Sequence, residues 1–309
     1  MKKKLLIITG PTGVGKSDLA VSLARKLGGE IISADSMQIY RGMDIGSAKI
    51  READRGGVPH HLLDAADPRE EFSVADWRAL AEEAMAGIYQ RGHLPIITGG
   101  TGLYINSIIY PMSFAETMKS PAIRRRYEQL VEQQGNESLH ALLKERDPES
   151  AAMIHPNNVK RVIRALEVGE LTGKPFSVYR DEKKLRDDLD IFYYWISMDR
   201  QKLYDRIDQR VDLMMQAGLL EEIRALQAAG LQRSFQSMQG IGYKELLTYL
   251  LGEVSLEEAV DQIKQGSRNY AKRQMTWFRN DENCLELSKE KMTESEMLFR
   301  IEGDVYNRL

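Results

Sequence analysis

The chain has 309 residues, 42% of them hydrophobic and 29% charged, and a formal net charge of −3. This composition supports one large folded domain or two smaller ones and excludes a chain disordered throughout. A single cysteine, Cys284, excludes an intrachain disulfide and any multi-cysteine zinc site, and without an oxidising-compartment pattern the cytosol is the expected location. No apolar run is long enough to span a bilayer, so no membrane association is expected.

The first apolar run, KLLIIT, reads as a strand, not as the start of a signal peptide, because it stops at once in a Gly-rich turn with no small-residue cleavage site behind it. Next comes GPTGVGKS, comprising Gly10, Pro11, Thr12, Gly13, Val14, Gly15, Lys16 and Ser17, which fits the phosphate-binding P-loop pattern in full. Its glycines let backbone N–H groups turn inward around an anion. A helix from Lys16 to Leu27 would aim its positive dipole end at the same anion. Lys16 supplies a point charge, and Ser17 the hydroxyl that such loops use to hold Mg²⁺.

EIISAD reads as a second strand, SVADWRALAEEAMAGIYQRG as an amphipathic helix with a Gly stop, and LPIITGG as a third strand followed by a helix from about Thr101. This alternation predicts an α/β fold, a P-loop parallel sheet with helices on both faces. After Tyr110, PMSFAETMKSP reads as a connection. From Pro121 to about Glu182 only helical patterns follow, predicting an all-helical insertion domain over 116–189 within a core of 1–115 and 190–309. IFYYWISM returns as a strand. The remainder reads as helices over 200–230, 243–251 and 255–278, with CLELS as a short late strand.

A nucleotide hydrolase would carry a Mg²⁺-binding acid at the end of a later strand. LPIIT instead runs into Gly99-Gly100-Thr101-Gly102, and the acid best placed at a strand end is Asp35, after EIISA. That arrangement fits a substrate-handling site better than a hydrolysis engine and leaves open a small-molecule kinase with a helical lid or a nucleotide-gated RNA-binding module. Asp35 and Thr101, both at strand ends beside the P-loop, favour chemistry over binding alone. His60-His61 has no third ligand pattern nearby and reads as structural. Segment 116–186 carries 14 Lys and Arg against 11 Asp and Glu, so positive charge is concentrated on one part of an acidic chain. A second basic stretch, KQGSRNYAKRQMTWFRN, places Lys264, Arg268 and Lys272 in one helical stripe suited to a phosphate backbone, with its aromatic residues expected in the core.

The ordered set GPTGVGKS, SADSMQIYRGMDIGSAK, PHHLLD, TGGTGLY, IHPNNVKRVIRALEV, RIDQRVDLM and YAKRQMTWFR resembles the tRNA dimethylallyltransferases, the tRNA isopentenyltransferase family, from about Gly10 to Arg279. The resemblance implies transfer of the dimethylallyl group from dimethylallyl diphosphate to N6 of the adenosine just 3′ of the anticodon, with loss of diphosphate and Mg²⁺ as cofactor. It implies that Gly10 to Ser17 and Arg210 hold the diphosphate, that Asp35 is the base and that Thr101 orients a substrate. It further places Asp35, Ser36, Met37, Gln38, Thr101, Arg124 and Lys160, Arg161, Val162, Ile163 and Arg164 against tRNA. The Gln38 amide is suited to pairing with a base edge. Some members add a C-terminal zinc finger; with one cysteine, no zinc is expected here.

Overall fold

The computed structural model describes residues 2–111, 120–179 and 184–307. The expected connection PMSFAETMKSP lies almost wholly outside these. The chain divides into two compact units, Met1–Ile109 with Asp187–Leu309, and Tyr110–Arg186.

The first unit is built on a six-stranded sheet, all parallel. Its strands are β1 (Lys3–Thr9), β2 (Gly29–Ala34), β3 (His60–His61), β4 (Leu94–Gly99), β5 (Leu189–Ser197) and β6 (Leu285–Ser288). They lie in the order β3-β2-β4-β1-β5-β6. IFYYWISM therefore joins β1 directly, and β5 begins at Leu189, inside the segment expected to be insertion. All six residues of β2 are buried, as a parallel sheet covered on both faces requires. Chain order reverses at β1: it feeds β2 on one side and pairs with β5 on the other. Open sheets bind ligands at the carboxyl ends of strands beside such a reversal.

The helices of this unit are α1 (Lys16–Leu27), α2 (Val74–Gln90) and α3 (Gly102–Ile109) in the first part of the chain. After the second unit's α4 (Pro121–Arg146), α5 (Pro148–Met153) and α6 (Val159–Thr172), it resumes with α7 (Arg200–Gln216), α8 (Leu219–Ala228), α9 (Tyr243–Leu250), α10 (Leu256–Arg279) and α11 (Glu294–Asn307). Ser73 and Asp76 start α2 with a reciprocal capping box, and Ser255 and Glu258 do the same for α10. The single helix expected over 200–230 is two, because Gly218 takes a left-handed φ of 97° between α7 and α8. Trp77 of α2 fixes the layer geometry: its indole N–H donates to the Ser33 carbonyl at 3.0 Å and its ring stacks on Tyr104 of α3 at 4.8 Å.

His60 and His61 form a short edge strand. His61 and His93 each meet the buried Glu30 carboxylate at 2.7 Å, and Arg91 adds two bonds at 2.8 Å. The Arg91 hydrogen bonds, with those of the histidines, hold the Glu30 carboxyl well below the usual carboxylate range. His61 is thus tied into the sheet edge, while His60 meets the Val58 carbonyl at 2.8 Å and also lines the cavity described below.

Among its described residues, the regular structure of the second unit is helical. Tyr127, Leu139, Leu143, Ile154, Val162 and Leu166 form its core, and Gly135, at φ 82°, kinks α4. Asp147 joins α4 to α5, accepting from Ser150 N at 3.1 Å and Ser177 N at 2.9 Å.

Candidate active site

The P-loop leaves the carboxyl end of β1 and enters α1 as expected. Gly13 and Gly15 adopt φ of 81° and 88°, a region that strains any side-chain-bearing residue. Pro11 has no N–H to offer an anion; its carbonyl accepts from Val14 N and from Lys16 Nζ, both at 3.4 Å. Val14 is fully buried in the core. The Pro11 carbonyl and the Val14 side chain shape the loop, while Lys16 and Ser17 line the cavity in front of it.

That cavity, about 490 Å³, is walled by the P-loop, the segment after β2, and helices α7 and α10. Four cations line it, Lys16, Arg210, Lys244 and Arg273, and two of them, Lys16 and Arg210, are strongly desolvated. Burial lowers the Lys16 ammonium to about 8, with Asp35 opposing the shift. Arg210 on α7 donates to Thr12 Oγ1 at 3.0 Å and is likewise lowered, chiefly by desolvation. Arg206, one turn earlier, donates to the Gly13 carbonyl at 3.0 Å, so both arginines reach the loop from one helix face. Among the described residues neither Lys16 nor Arg210 makes an ion pair, and Asp35 is the only carboxylate lining the cavity. Two desolvated cations against one acid leave a net positive hole, which an anionic substrate would fill.

Asp35 ends β2. Its Oδ1 accepts from Met37 N at 2.9 Å and Gln38 N at 3.4 Å, so the carboxylate holds the turn 35–38 together while facing the cavity. The Thr101 hydroxyl accepts from Ser36 N at 3.1 Å and also bonds the Tyr270 hydroxyl. Thr101 thus locks that turn to α10. The Gln38 amide is partly committed: Oε1 accepts from Ser33 Oγ at 3.1 Å, and Nε2 donates to the Ser47 and Ala48 carbonyls at 3.3 and 3.4 Å. One lone pair of Oε1 remains for a base N–H, fewer contacts than a free amide would offer.

The sequence pattern did not single out the cavity face of α10. Ile263, Ser267, Tyr270 and Gln274, spaced as one helical face, all line the cavity. Gln274 Oε1 accepts from Thr12 N at 2.9 Å and its Nε2 donates to Gly100 O at 2.9 Å. One side chain thereby ties the P-loop to the β4–α3 turn. The glycines of GGTG make this approach possible: a Cβ on Gly100 would lie 2.0 Å from Gln274 Nε2, and one on Gly102 2.2 Å from Trp277 Nε1. Tyr270, expected in the core, is instead a cavity wall, and burial pushes its hydroxyl up to about 12. Phe278 is core, and Trp277 is 42% exposed. Two of the three residues of the basic stripe of α10 are committed to acids on α7, Lys264 to Asp212 at 2.7 Å and Arg268 to Asp208 at 2.5 Å, while Lys272 is exposed.

In the helical unit, helix phase divides the 160–164 segment expected at tRNA. Val162 and Ile163 are 0% and 5% exposed and pack into the core, so their side chains are not an RNA face. Lys160 and Arg161 are exposed. Arg124 forms a two-pronged pair with the buried Glu167 at 2.8 and 2.9 Å, and Arg164 joins the same carboxylate at 2.6 Å. Those two arginines neutralise a buried acid and are structural ties first.

Among the described residues no group of three or more His, Cys, Asp or Glu is arranged to hold a metal ion, and no helix is long and apolar enough to cross a membrane. The sequence matches the model of the IPP transferase family over residues 38–281 and that of the isopentenyl transferases over residues 3–65. The fold is similar to the full-length tRNA isopentenylpyrophosphate transferase of Bacillus halodurans, with 45% identity and a TM-score of 0.73, covering 99% of this chain and 96% of that one. It is also similar to the tRNA delta(2)-isopentenylpyrophosphate transferase of Staphylococcus epidermidis, with 42% identity and a TM-score of 0.75, covering the whole of both chains at 100%. A eukaryotic dimethylallyltransferase acting on tRNA matches at 30% identity and a TM-score of 0.82, over 99% of this chain and 80% of that one. A family match across most of the chain and two full-length relatives above 40% identity place the protein: it belongs to the IPP transferase family, the tRNA isopentenyltransferases.

Proposed function

We propose that this enzyme transfers the dimethylallyl group of dimethylallyl diphosphate to N6 of the adenosine immediately 3′ of the anticodon in tRNA, releasing diphosphate. The observation that carries the reading is the pair of desolvated cations, Lys16 and Arg210, beside a single carboxylate, Asp35, in one cavity.

Adenine N6 is a poor nucleophile because its lone pair is delocalised into the ring. As the N6–C bond forms, Asp35 takes the N6 proton. The allylic C–O bond breaks, and its electron pair stays with the diphosphate. Negative charge therefore grows where Lys16, Arg210 and the amides of the P-loop are already fixed, which is the arrangement that lowers the barrier. The developing allylic cation meets the apolar part of the cavity, including Ile207, Val211, Met214 and Ile263. Thr101 acts by orientation: its hydroxyl sets the Asp35–Gln38 turn against which the flipped base would rest.

The residues present fit Mg²⁺: the Ser17 hydroxyl lines the cavity in the first turn of α1, and magnesium is ordinarily held by few protein donors together with substrate phosphate. Ser17 would hold it, and when bound it would supply charge neutralisation for the leaving diphosphate. On the RNA side, the exposed Lys160 and Arg161 are the best-placed of the 160–164 group to meet phosphate. The cytosol, where unmodified tRNA and the donor coexist, is the fitting location.

The test is transfer from labelled dimethylallyl diphosphate to an anticodon stem-loop. Label should appear in RNA with adenosine 3′ of the anticodon and vanish when that base is guanosine. Equal labelling of both RNAs would refute the assignment of the acceptor.

A further inference from the structure

Glu222 neither belongs to a sequence motif considered above nor lines the cavity, yet it makes four hydrogen bonds that reach toward the site. It sits in the first turn of α8. Its Oε2 accepts from the backbone N–H of Asp44 at 2.9 Å and Ile45 at 2.7 Å. Its Oε1 accepts from Gly46 N–H at 3.2 Å and from the Tyr243 hydroxyl at 2.7 Å. Three successive amides converging on one carboxylate form an anion nest, and bonds to an ionised acceptor are the stronger class. The approach is tight, since a Cβ on Gly46 would lie 2.6 Å from the Tyr243 ring.

The held loop continues into the site. Ser47 Oγ donates to the Met43 carbonyl at 2.7 Å, closing the loop on itself. Ala48 has a φ of 47°, a left-handed conformation that a non-glycine residue keeps only where its surroundings impose it. The carbonyls of these two residues receive the Gln38 amide. The path from α8 to the turn carrying Asp35 is therefore continuous: carboxylate, loop amides, loop carbonyls, Gln38.

We infer that Glu222 is a positioning residue for RNA recognition, fixing Gln38 through the 44–48 loop without touching substrate. This rests on the reading above that the 35–38 turn faces the RNA. Steady-state kinetics of Glu222→Gln, Glu222→Asp, Gln38→Ala and the double variant Gln38→Ala/Glu222→Gln separate the two ideas. Glutamine keeps the volume but loses the charge and puts an N–H₂ where amides must be accepted. Glu222→Gln should raise KM for the anticodon stem-loop about tenfold, as expected for a weakened charge-assisted bond, and leave donor KM and kcat within about twofold. Glu222→Asp, which keeps the charge, should stay within about threefold of wild type. The double variant should bind RNA no worse than about twofold below Gln38→Ala alone, because both changes break one path. Additive losses, or a Glu222→Gln variant that only lowers Tm and the active fraction with both KM values intact, would overturn the inference. If Gln38→Ala itself leaves RNA KM unchanged, the placement of RNA at this turn fails. If Gln38→Ala raises it and Glu222→Gln does not, only the role of Glu222 fails.

Discussion

Replacing Gly100 with alanine tests how the P-loop is held. The new methyl carbon would lie 2.0 Å from Gln274 Nε2 and 3.2 Å from its Cδ, so the amide must leave its place. Gln274 is 5% exposed and lines the cavity, so its amide can give way only by leaving both of its partners. It would lose its bonds to Thr12 N and Gly100 O. Two hydrogen bonds at about 1 kcal/mol each, with about 1–3 kcal/mol of overpacking strain, put the loss near 3–5 kcal/mol. Removing the obstructing side chain should return the strain: Gly100→Ala/Gln274→Ala should be about 1–3 kcal/mol more stable than Gly100→Ala alone. Urea unfolding followed by tryptophan fluorescence reads this cleanly, because Trp77, Trp195 and Trp277, the only tryptophans, all lie in the α/β unit. Losses that simply add in the double variant would refute the steric argument and with it the role of Gln274 as the tie between P-loop and β4–α3 turn.

With the Lys16 ammonium at about 8, kcat/KM for the donor should fall above that pH as the free enzyme loses the cation. Lys16→Arg should abolish that limb. The same shift has a stability sign: the folded value lies below the unfolded one, so the charged Lys16 costs stability below about 8 and the cost is relieved as pH rises toward 10.5. Arg210→Ala should raise donor KM by about ten- to a hundredfold, with RNA KM unchanged in titrations against the stem-loop. Arg124→Ala should destabilise the helical unit by about 1–3 kcal/mol, since Glu167 keeps Arg164 and Ser120 N, and should change the salt slope of RNA binding little. Lys160→Ala with Arg161→Ala should do the reverse, lowering that slope by about one to two in filter-binding or anisotropy titrations and sparing stability.

Local physics made much of this molecule readable. A phosphate loop between strand and helix, alternating elements and an uninterrupted helical stretch are each written in neighbouring residues, as are the capping boxes at Ser73 and Ser255. Several misreadings share a cause: partners far apart in the chain. The charge and spacing of Lys264 and Arg268 are plain, but the acids that neutralise them lie on α7, over fifty residues earlier. Arg124 reads as a surface cation because Glu167 lies 43 positions away. Val162 and Ile163 were within reach of the sequence, for the helical period already sets them apart from Lys160 and Arg161. Gln274 and Tyr270 were half legible: their spacing marks one face of a helix, and only the sheet's carboxyl edge shows that this face closes the site. Glu222 carries no local signal at all, since its meaning lies in the amides of a loop brought to it by the fold.

The central claim is that a fixed anion cradle and one carboxylate together join an allylic diphosphate to an adenine amine. The most direct measurement digests tRNA after incubation with enzyme, Mg²⁺ and dimethylallyl diphosphate and examines the nucleosides by mass spectrometry. Wild type should convert the adenosine 3′ of the anticodon to its N6-dimethylallyl form, with none when ATP replaces the donor. Asp35→Asn, whose Oδ1 can still accept from Met37 N and Gln38 N, should bind the same RNA and lower turnover by a factor of about 10²–10⁴. Wild-type turnover in the Asp35 variant, or phosphate transfer from ATP in place of prenyl transfer, would contradict the account.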